Sequence, residues 1–413
     1  MLVETANNAV VLTERDFASA TRTVPRASRE VLRFVLGLSL GSVRITLPDG
    51  RIFMVDTGKP GPHAEIRVRN WRFARRVMFA GDVGLGDSYG DGDWDSPDVT
   101  EVVRLFAINE DLTANFLARS PVARLAFQLR HFLNRNTKTG SQRNISAHYD
   151  LGNTFYSEWL DRSMTYSSAI FAPGDNDLSS AQARKYRALA DSMGVQPDEH
   201  VLEIGCGWGG FAEFLAKERG ARVTALTISR EQFDFATRRM QQAGLGDRVE
   251  IRFQDYRDER GLYDRIGSIE MFEAVGESYW GTYFSTLRDR LKSGGTAGLQ
   301  IITVADRFFE DYRRNIDFIR RFIFPGGMLP SPAKLAELAS SHGLAESSNR
   351  SLRHDYAETL RQWRASFDTA WPRLQPMGFD ERFRRLWRYY LSYCEGGFDA
   401  GSIDVHQIVY RKG

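Results

Sequence analysis

The stretch that decides the fold is Val201-Leu202-Glu203-Ile204-Gly205-Cys206-Gly207-Trp208-Gly209-Gly210. It is an apolar strand pattern that runs into a glycine-rich turn and then into a helical pattern. In an open α/β sheet, ligands bind beyond the carboxyl ends of the strands, and glycines there let the backbone approach a ligand closely. The stretch therefore predicts a nucleoside-binding turn in which Gly205, Gly207 and Gly209 lie next to the ligand.

Strand and helix patterns alternate on both sides of this turn, from about residue 180 onward. The segments, in chain order, are HVLEIGCG, a helix through FAEFLAKERG, ARVTALTI, a helix through REQFDFATRRMQQAG, RVEIRFQD, YDRIGSIEMF, a further helix and GTAGLQIITV. Such alternation requires a mostly parallel sheet with helices on both faces. We therefore expect an α/β fold with a Rossmann-like, mostly parallel sheet.

Two further strand ends carry polar residues that could bind a nucleoside. One strand runs into Thr227-Ile228-Ser229 and another into Gln254-Asp255-Tyr256-Arg257, with Gln232 in the first turn of the helix that follows Ser229. The glycine spacing alone could hold a dinucleotide as well as S-adenosylmethionine, but no Lys-Ser/Thr pair of a triphosphate loop follows it. The context favours S-adenosylmethionine, although Gln232 could also be an ordinary solvated helix residue.

The amino-terminal part of the chain has a different pattern. Residues 29–38 predict a short helix, and SVRITLPDGRIFMVDTG alternates apolar and polar residues around Pro48-Asp49-Gly50, which indicates a β-hairpin. A strand, a helix and a Gly/Asp-rich loop near residue 82 follow. We expect a small α+β domain over residues 1–115.

The segment between the two domains is basic. No Asp or Glu occurs between Asp111 and Asp150, whereas six basic residues do. Residues 121–134 could form an amphipathic helix on anionic lipid, or a helix that packs the domains together and leaves its arginines solvated. We expect a basic helical linker over residues 116–145 and the second domain over residues 146–413.

The composition is that of an ordinary globular protein. Of the 413 residues, 42% are hydrophobic and 26% are charged, and the net charge is only +2, so we expect no nucleic-acid partner. No apolar stretch is long enough to span a bilayer, and the first residues lack a secretory pattern, which predicts a cytoplasmic location. Cys206 and Cys394 have no metal-ligand spacing, so we expect no metal site.

Several motifs together resemble the cyclopropane fatty acid synthases and the mycolic acid cyclopropane synthases. They are HYDLGNTFYSEWLD, MTYSSAIF, VLEIGCGWGG, LTISREQ, FEAVGESYW, FIFPGGMLPS and IDVHQIVYRKG, and they cover residues 140 to 413 in order. The resemblance implies a class I methyltransferase that uses S-adenosylmethionine. The Gly/Asp-rich segment near residue 82 also resembles the amino-terminal lipid-binding domain of the members that act on phospholipids.

The resemblance also implies which residues line the cofactor site. A positively charged sulfonium favours an aromatic face, which suits Tyr166, although a packed core tyrosine is the structural alternative. The implied cofactor-binding residues are Tyr166, Ser167, Glu203, Gly205, Cys206, Gly207, Gly209, Thr227, Gln232, Tyr256 and Arg257.

In ring-forming relatives, the resemblance implies, a bound bicarbonate accepts a proton from the new methyl group. A cysteine, a glutamate, a histidine, a tyrosine and a backbone group hold that anion. The glutamate, tyrosine and backbone positions are present here as Glu273, Tyr356 and Ile302. The other two positions differ, because Ser168 replaces the cysteine and Gln300 replaces the histidine.

These two replacements affect the expected product. Serine and glutamine can still hydrogen-bond an anion, so bicarbonate stays an expected ligand, but the loss of an ionisable histidine alters the setting of the base. We expect proton loss to be redirected to a neighbouring chain carbon, which gives a methyl-branched unsaturated chain, with ring closure as the alternative. Glu273 could instead be a carboxylate held by helix-start N–H groups, and Tyr356 a core aromatic residue.

The resemblance and the amino-terminal domain favour unsaturated acyl chains of membrane phospholipids as the substrate. Contact with the inner face of the cell membrane would then be peripheral, and relatives suggest a homodimer. The segments DFIRRFIFPGG and FRRLWRYYLSYCEGGF could form a wall for the chain with arginines near phosphates, or ordinary helices. The rival functions are a methyltransferase acting on nitrogen or oxygen of a small molecule, and a lipid-binding protein without catalysis.

Overall fold

The computed structural model describes residues 9–110, 112, 151–174 and 177–413. They belong to two compact units. The first comprises Met1–Arg130, Asn315–Arg321 and Gln375–Ser402, and the second His131–Arg314, Phe322–Leu374 and Ile403–Gly413. Two segments that the sequence analysis places in the second domain are thus part of the first unit. The basic linker predicted over residues 116–145 lies outside the described residues.

The first unit is an α+β structure. Its five strands are β1 (Ala9–Val11), β2 (Ser42–Thr46), β3 (Ile52–Asp56), β4 (His63–Val68) and β5 (Trp94–Asp95). Its amino-terminal helices are α1 (Phe17–Ala20), α2 (Arg26–Val35), α3 (Arg72–Gly90) and α4 (Val99–Ile108). The sheet has the order β1-β3-β2-β4-β5.

The predicted hairpin is confirmed. Strands β2 and β3 pair antiparallel, with Thr46 opposite Ile52, and the Leu47 N–H donates to the Arg51 carbonyl at 2.8 Å. Gly50 lies in the turn at φ 84°, a conformation that glycine adopts without steric cost. The local turn chemistry was therefore sufficient to predict this part of the fold.

The predicted Gly/Asp-rich loop near residue 82 is wrong, because helix α3 continues through this segment to Gly90. Gly81 interrupts the helix at φ 55°, and the Asp82 carboxylate then accepts a hydrogen bond from the Val83 N–H at 2.8 Å. The helix tolerates its aspartates because arginines pair with them: Arg382 contacts both Asp87 and Asp91. Composition alone could not reveal these long-range partners.

The second unit contains seven strands and most of the remaining helices. Its strands are β6 (His200–Ile204), β7 (Arg222–Thr227), β8 (Val249–Phe253), β9 (Tyr263–Ile269), β10 (Leu291–Val304), β11 (Leu344–Ser351) and β12 (Ile403–Lys412). The helices of the remaining chain are α5 (Gly152–Ser157), α6 (Leu178–Met193), α7 (Gly210–Arg219), α8 (Arg230–Gln242), α9 (Trp280–Arg290), α10 (Asp306–Arg314), α11 (Phe318–Phe322), α12 (Pro332–Ser341), α13 (Arg353–Leu374) and α14 (Glu381–Ala400).

The seven strands form one sheet in the order β11-β12-β10-β9-β6-β7-β8. The five strands from β10 to β8 are parallel, whereas β12 runs antiparallel to both β10 and β11. Two clusters of buried apolar side chains pack against the sheet. The predicted mostly parallel α/β sheet is confirmed, and parallel pairing places the carboxyl ends of β6, β7, β8 and β9 along one edge.

Helix α14 belongs to the first unit, where it packs on α3 and α4. Arg385 donates hydrogen bonds to the carbonyls of Tyr89 and Trp94 and lies over the Tyr89 ring. Arg382 and Arg385 thus both bind groups within the first unit, so these two basic side chains of α14 have a structural role. Across the described residues, no helix has the length and apolar character needed to cross a membrane.

Candidate active site

The glycine-rich turn connects β6 to α7. Gly205, Gly207 and Gly209 have φ values of 83°, 52° and 83°, and the Gly205 N–H donates to the Leu226 carbonyl at 3.0 Å. A Cβ on Gly205 would lie 2.5 Å from Cγ of Met271, whereas a Cβ on Gly207 would point into open space. The turn therefore needs glycine for its backbone shape, and at Gly207 it leaves room for a ligand.

Glu203 lies in β6 and is 2% exposed. Among the residues that the structure describes, its Oε2 atom has no hydrogen-bond partner. Burial raises the pKa of this carboxyl to about 8, although Arg239 and Lys185 act in the opposite direction. A buried carboxyl oxygen without a protein partner is costly unless a ligand supplies donors, and a ribose hydroxyl would do so.

The turn after β7 is held by its own side chains. The Thr227 hydroxyl donates to Oε1 of Gln232 at 2.9 Å, and the Ser229 N–H donates to the Thr227 hydroxyl at 3.1 Å. Ser229 caps α8 by accepting from the Gln232 N–H. Gln232 is only 6% exposed, so the solvated helix residue considered in the sequence analysis is ruled out.

Tyr256 and Arg257 follow β8 in a short 3₁₀ turn. Arg257 pairs with the Asp255 carboxylate at 2.6 Å, and its guanidinium lies 5.1 Å from the centre of the Tyr279 ring. The Tyr256 hydroxyl is buried and has no hydrogen-bond partner within the described part of the chain. Arg257 therefore shapes the turn through Asp255, while Tyr256 offers a hydroxyl group to a ligand.

Tyr166 lies in a cluster of aromatic rings, with ring centres 5.3 Å from Tyr156 and 5.1 Å from Trp363. The neighbouring Ser167 hydroxyl accepts a hydrogen bond from the fully buried Lys185 ammonium at 2.6 Å. Cys206 is 5% exposed, and burial raises the pKa of its thiol, so its side chain is a packed thiol.

These residues fit S-adenosylmethionine. As far as the structure describes the chain, the turn leaves open space at Gly207, and neither Oε2 of Glu203 nor the Tyr256 hydroxyl has a hydrogen-bond partner. Aromatic rings such as Tyr166 suit a sulfonium cation. The four predicted segments that carry the cofactor-binding residues belong to one structural unit.

Glu273 and Ile302, two of the predicted catalytic positions, bond to each other. The Ile302 N–H donates to Oε1 of Glu273 at 2.6 Å. Oε2 of Glu273 is buried and has no hydrogen-bond partner in the described ranges. Burial together with the charge of Glu270 raises the pKa of Glu273 to about 8. The Ile302 N–H, which comes from β10, is thus already engaged by Glu273.

The remaining three predicted catalytic positions, Ser168, Gln300 and Tyr356, converge on a residue that the sequence analysis missed. Glu270 follows the end of β9, and its carboxylate accepts three hydrogen bonds. The donors are the Ser168 N–H at 2.9 Å and Gln300 Nε2 at 2.8 Å, both to Oε1, and the Tyr356 hydroxyl at 2.6 Å, to Oε2.

Ser168 and Gln300 are both fully buried, and their other polar atoms are engaged within the protein. The Ser168 hydroxyl donates to the carbonyl of Ala169 at 3.1 Å. Gln300 Nε2 also donates to the Ser168 carbonyl, and Gln300 Oε1 accepts from Gln407 Nε2 at 3.0 Å. These side chains therefore organise the Glu270 carboxylate and carry no charge of their own.

The backbone at Glu270 is strained. Its φ is 48°, in the left-handed region that side chains other than glycine seldom adopt, and its N–H donates to the Gln300 carbonyl at 2.7 Å. Such a conformation costs about 1 kcal/mol or more, and it concentrates at functional sites. The Glu270 carboxylate thus reaches its three donors at the expense of backbone strain.

The charge of Glu270 is set by opposing effects. Burial raises the pKa of the carboxyl, whereas the hydrogen bond from Tyr356 and the positive charge of Lys185 lower it. Burial lowers the pKa of Lys185 to about 7, and the nearby carboxylates oppose this shift. Burial, the donors and the charge of Lys185 thus act together on the ionisation of Glu270.

One feature of the sequence could have drawn attention to Glu270. A carboxylate directly follows the strand pattern of YDRIGSI, at the edge of a parallel sheet where ligands bind. Its left-handed backbone and its three donors, which come from other parts of the chain, are properties of the folded structure only. Over the parts of the chain that the structure describes, no group of His, Cys, Asp and Glu side chains could hold a metal ion.

Comparisons with known proteins agree with this architecture. A model of the mycolic acid cyclopropane synthetase family matches residues 136–408. The chain is 37% identical to tuberculostearic acid methyltransferase UfaA1 of Mycobacterium tuberculosis, over 100% of both chains. It is 36% identical to the cyclopropane-fatty-acyl-phospholipid synthase of Escherichia coli K12, over 85% of this chain and 88% of the relative.

A solved structure indicates the same family. The crystal structure of mycolic acid cyclopropane synthase CmaA1 complexed with SAH and CTAB superposes with a TM-score of 0.62 at 30% identity and covers 66% of this chain and 98% of that chain. The resemblance and the class I methyltransferase fold predicted from the motifs are confirmed. The chain belongs to the mycolic acid cyclopropane synthetase family and is an S-adenosylmethionine-dependent methyltransferase.

Proposed function

We propose that the protein transfers a methyl group from S-adenosylmethionine to the double bond of an unsaturated phospholipid acyl chain, and that the product is a methyl-branched unsaturated chain. The relatives named above are a tuberculostearic acid methyltransferase and a cyclopropane-fatty-acyl-phospholipid synthase, which supports an acyl substrate. Ring closure is the second candidate, favoured by the name of the Escherichia coli relative.

The observation that carries the proposal concerns Gln300. The resemblance implies a histidine at this position in ring-forming relatives, and histidine can carry a positive charge near neutral pH. Gln300 cannot be charged, and both ends of its amide are engaged by Ser168, Glu270 and Gln407. The site therefore lacks the ionisable histidine that the resemblance implies beside bicarbonate. This difference favours loss of a proton from a neighbouring chain carbon rather than from the new methyl group.

The chemistry requires a site that excludes water. When bound, S-adenosylmethionine supplies an electrophilic methyl group and leaves as a neutral thioether. The π electrons of the chain form the new C–C bond, and the second alkene carbon becomes positively charged. Loss of a proton from a neighbouring chain carbon then gives a new double bond. Carboxylates near this carbon stabilise the positive charge, because electrostatic interactions are stronger where water is absent.

Glu270 is the carboxylate available for this purpose, and Glu273 is the neighbouring acidic residue. The pKa of Glu273 is raised to about 8, and it therefore carries a proton in the presence of the Glu270 charge at neutral pH. We assign a supporting role to Glu273, in which it holds the Ile302 backbone and keeps the second oxygen directed toward a ligand.

Peripheral contact with a membrane is part of the proposal. In the first unit, Phe79 and Met78 on α3 are 68% and 37% exposed, and Arg75 near them is exposed as well. An apolar pair beside a basic residue suits a surface that inserts at the boundary of an anionic bilayer. The expected homodimer and the cytoplasmic location stay predictions.

Product analysis tests the proposed function. The protein is expressed in a bacterial host that is rich in monounsaturated phospholipid and lacks its own ring-forming enzyme, and fatty esters are analysed by proton NMR and mass spectrometry. We expect one added CH₂, retained vinyl protons and a new methyl branch. Upfield cyclopropyl protons would overturn the proposal. The Escherichia coli cyclopropane-fatty-acyl-phospholipid synthase in the same host is the control for the ring, and an empty plasmid is the control for background.

A further inference from the structure

We propose that the Glu270 carboxylate is the built-in proton acceptor of this enzyme and takes the place that the resemblance assigns to bicarbonate. This inference rests on the proposed function for the origin of the proton. It concerns a catalytic residue that no motif of the sequence singled out. Three observations support it: the donors, the backbone and the neighbouring charges.

The donors are the first observation. The Ser168 N–H, Gln300 Nε2 and the Tyr356 hydroxyl all donate to Glu270, at 2.9, 2.8 and 2.6 Å. These residues occupy three of the five positions that the resemblance assigns to the anion. The Ile302 N–H, a fourth position, donates to Glu273. The hydrogen-bonding capacity expected for a free bicarbonate is therefore taken up by two carboxylates of the chain itself.

A second anion at this place is also unfavourable electrostatically. Two negative charges that share one site of low dielectric repel each other, and one of them must take up a proton. The charge of Glu270 already raises the pKa of Glu273. A bicarbonate beside the charged Glu270 would meet the same repulsion, and the donors from Ser168, Gln300, Tyr356 and Ile302 are already engaged.

The backbone is the second observation. Glu270 has a φ of 48°, a conformation in which glycine is the ordinary residue. Strain of this kind persists where the surrounding structure holds it, and it concentrates at active sites. The strained backbone is what brings a side chain from the end of β9 to the three donors.

The neighbouring charges are the third observation. Lys185 is fully buried and donates to the Ser167 hydroxyl, and its positive charge favours the ionised form of Glu270. Tyr356 and Gln300 favour that form by hydrogen bonding. A carboxyl group must be ionised before it can accept a proton. Lys185, Tyr356 and Gln300 favour the ionised form of Glu270 although its carboxyl is buried.

In the proposed proton transfer, a C–H bond of the chain breaks and an O–H bond forms on Glu270. A C–H bond next to the positively charged chain carbon breaks, its electron pair becomes the new double bond, and the proton goes to one oxygen of the Glu270 carboxylate. The neutral carboxylic acid returns the proton to solvent after the product leaves. No external base or other co-reactant is required.

Two substitutions test the role of Glu270. Glu270→Gln keeps the size of the side chain but cannot accept the proton, and it should lower turnover on unsaturated phospholipid vesicles by about 100-fold or more. Glu270→Gly suits the left-handed backbone and empties the site, so added sodium bicarbonate or formate should restore turnover by about 10-fold. SAH binding by calorimetry and the melting temperature verify that both variants fold. Glu199→Gln, in a carboxylate that pairs with Arg265 at the other end of β6, is the matched control.

The wild-type protein provides a test without any substitution. In buffers freed of carbon dioxide, its turnover should be unchanged within about twofold. Loss of turnover that bicarbonate restores would overturn the inference, as would a folded Glu270→Gln protein that keeps more than about a tenth of wild-type activity, or a folded Glu270→Gly protein that neither anion activates. The identity of the product is scored separately: a cyclopropane formed without bicarbonate would refute the proposed function while leaving Glu270 as the base.

Discussion

Two glutamates at the same edge of the sheet, Glu203 and Glu270, have different relations to their surroundings. Glu203 lies in the regular strand β6, and one of its oxygens has no hydrogen-bond partner in the parts of the chain that the structure describes. Glu270 lies just beyond β9 in a strained backbone, and both of its oxygens accept hydrogen bonds from the protein. A carboxylate left with a free oxygen suits ligand binding, whereas a carboxylate held from several sides suits a fixed chemical role.

The largest expected effect distinguishes ligand binding by Glu203 from the chemical role of Glu270. Glu203→Gln should weaken SAH binding by about 10-fold to 100-fold, because the carboxyl group that would bind the ligand hydroxyls is replaced by an amide. Glu270→Gln should leave SAH binding within about threefold of wild type while turnover is lost. Calorimetric titration of both variants is the measurement. Equal losses of SAH affinity in the two variants would remove the distinction.

The next effect concerns pH. As pH falls, Glu270 takes up a proton, so turnover should decline on the acid side of the profile at a pH above the ordinary glutamate range, because burial raises this pKa. Lys185→Met removes a positive charge that favours the ionised form. The acid limb should therefore move to higher pH, and turnover at neutral pH should fall by about 10-fold. Lys185→Arg keeps the charge and should keep the position of the limb. A simple loss of activity at every pH would indicate that Lys185 only supports packing.

Stability should respond to pH through Glu203. The pKa of this carboxyl is about 8 in the folded protein, against the ordinary value of 4.5 for a solvated glutamate, so the folded protein holds an extra proton between these values. The free energy of unfolding therefore falls as pH rises from 4.5 through about 8. Glu203→Gln should flatten this decline, and above about pH 8 it should be more stable than wild type by about 1 kcal/mol or more. Urea denaturation without cofactor at several pH values is the test, and an unchanged slope would contradict it.

The backbone strain at Glu270 gives a smaller effect. Glu270→Gly and Glu270→Ala remove the same hydrogen bonds, but only glycine adopts a φ of 48° without steric cost. The glycine variant should therefore be the more stable of the two by about 1 kcal/mol. Thermal and urea denaturation would measure the difference. Equal stabilities would mean that the backbone relaxes out of the left-handed region in both variants.

The last prediction concerns the exposed apolar pair of the first unit. Phe79→Ser should weaken binding to anionic phospholipid vesicles by about 10-fold, since burial of a large aromatic side chain contributes roughly 1.5–3 kcal/mol. Turnover on a short-chain substrate dispersed in detergent should stay unchanged. Vesicle sedimentation is the measurement, and Leu262→Ser, at an exposed leucine in the second unit, is the control. Equal losses in both variants would argue against a specific membrane surface on α3.

The sequence by itself determined the hairpin at Pro48-Asp49-Gly50, the alternation of strands and helices, and the glycine turn at Gly205. These features follow from local periodicity and turn chemistry, which need no knowledge of distant partners. The family motifs then indicated which class of cofactor the turn would bind. They also drew attention to the replacements at Ser168 and Gln300.

Only the tertiary structure showed that Ser168 and Gln300 both donate hydrogen bonds to Glu270. The donors to Glu270 come from residues 102, 30 and 86 positions away along the chain, and no local pattern encodes such a meeting. Distant partners also explain why the loop predicted near residue 82 was wrong. Arg382 pairs with two aspartates of α3 that lie 291 and 295 positions before it in the chain. The charge of a buried side chain depends on partners brought together by folding, and for that reason the role of Glu270 could be inferred only from the folded protein.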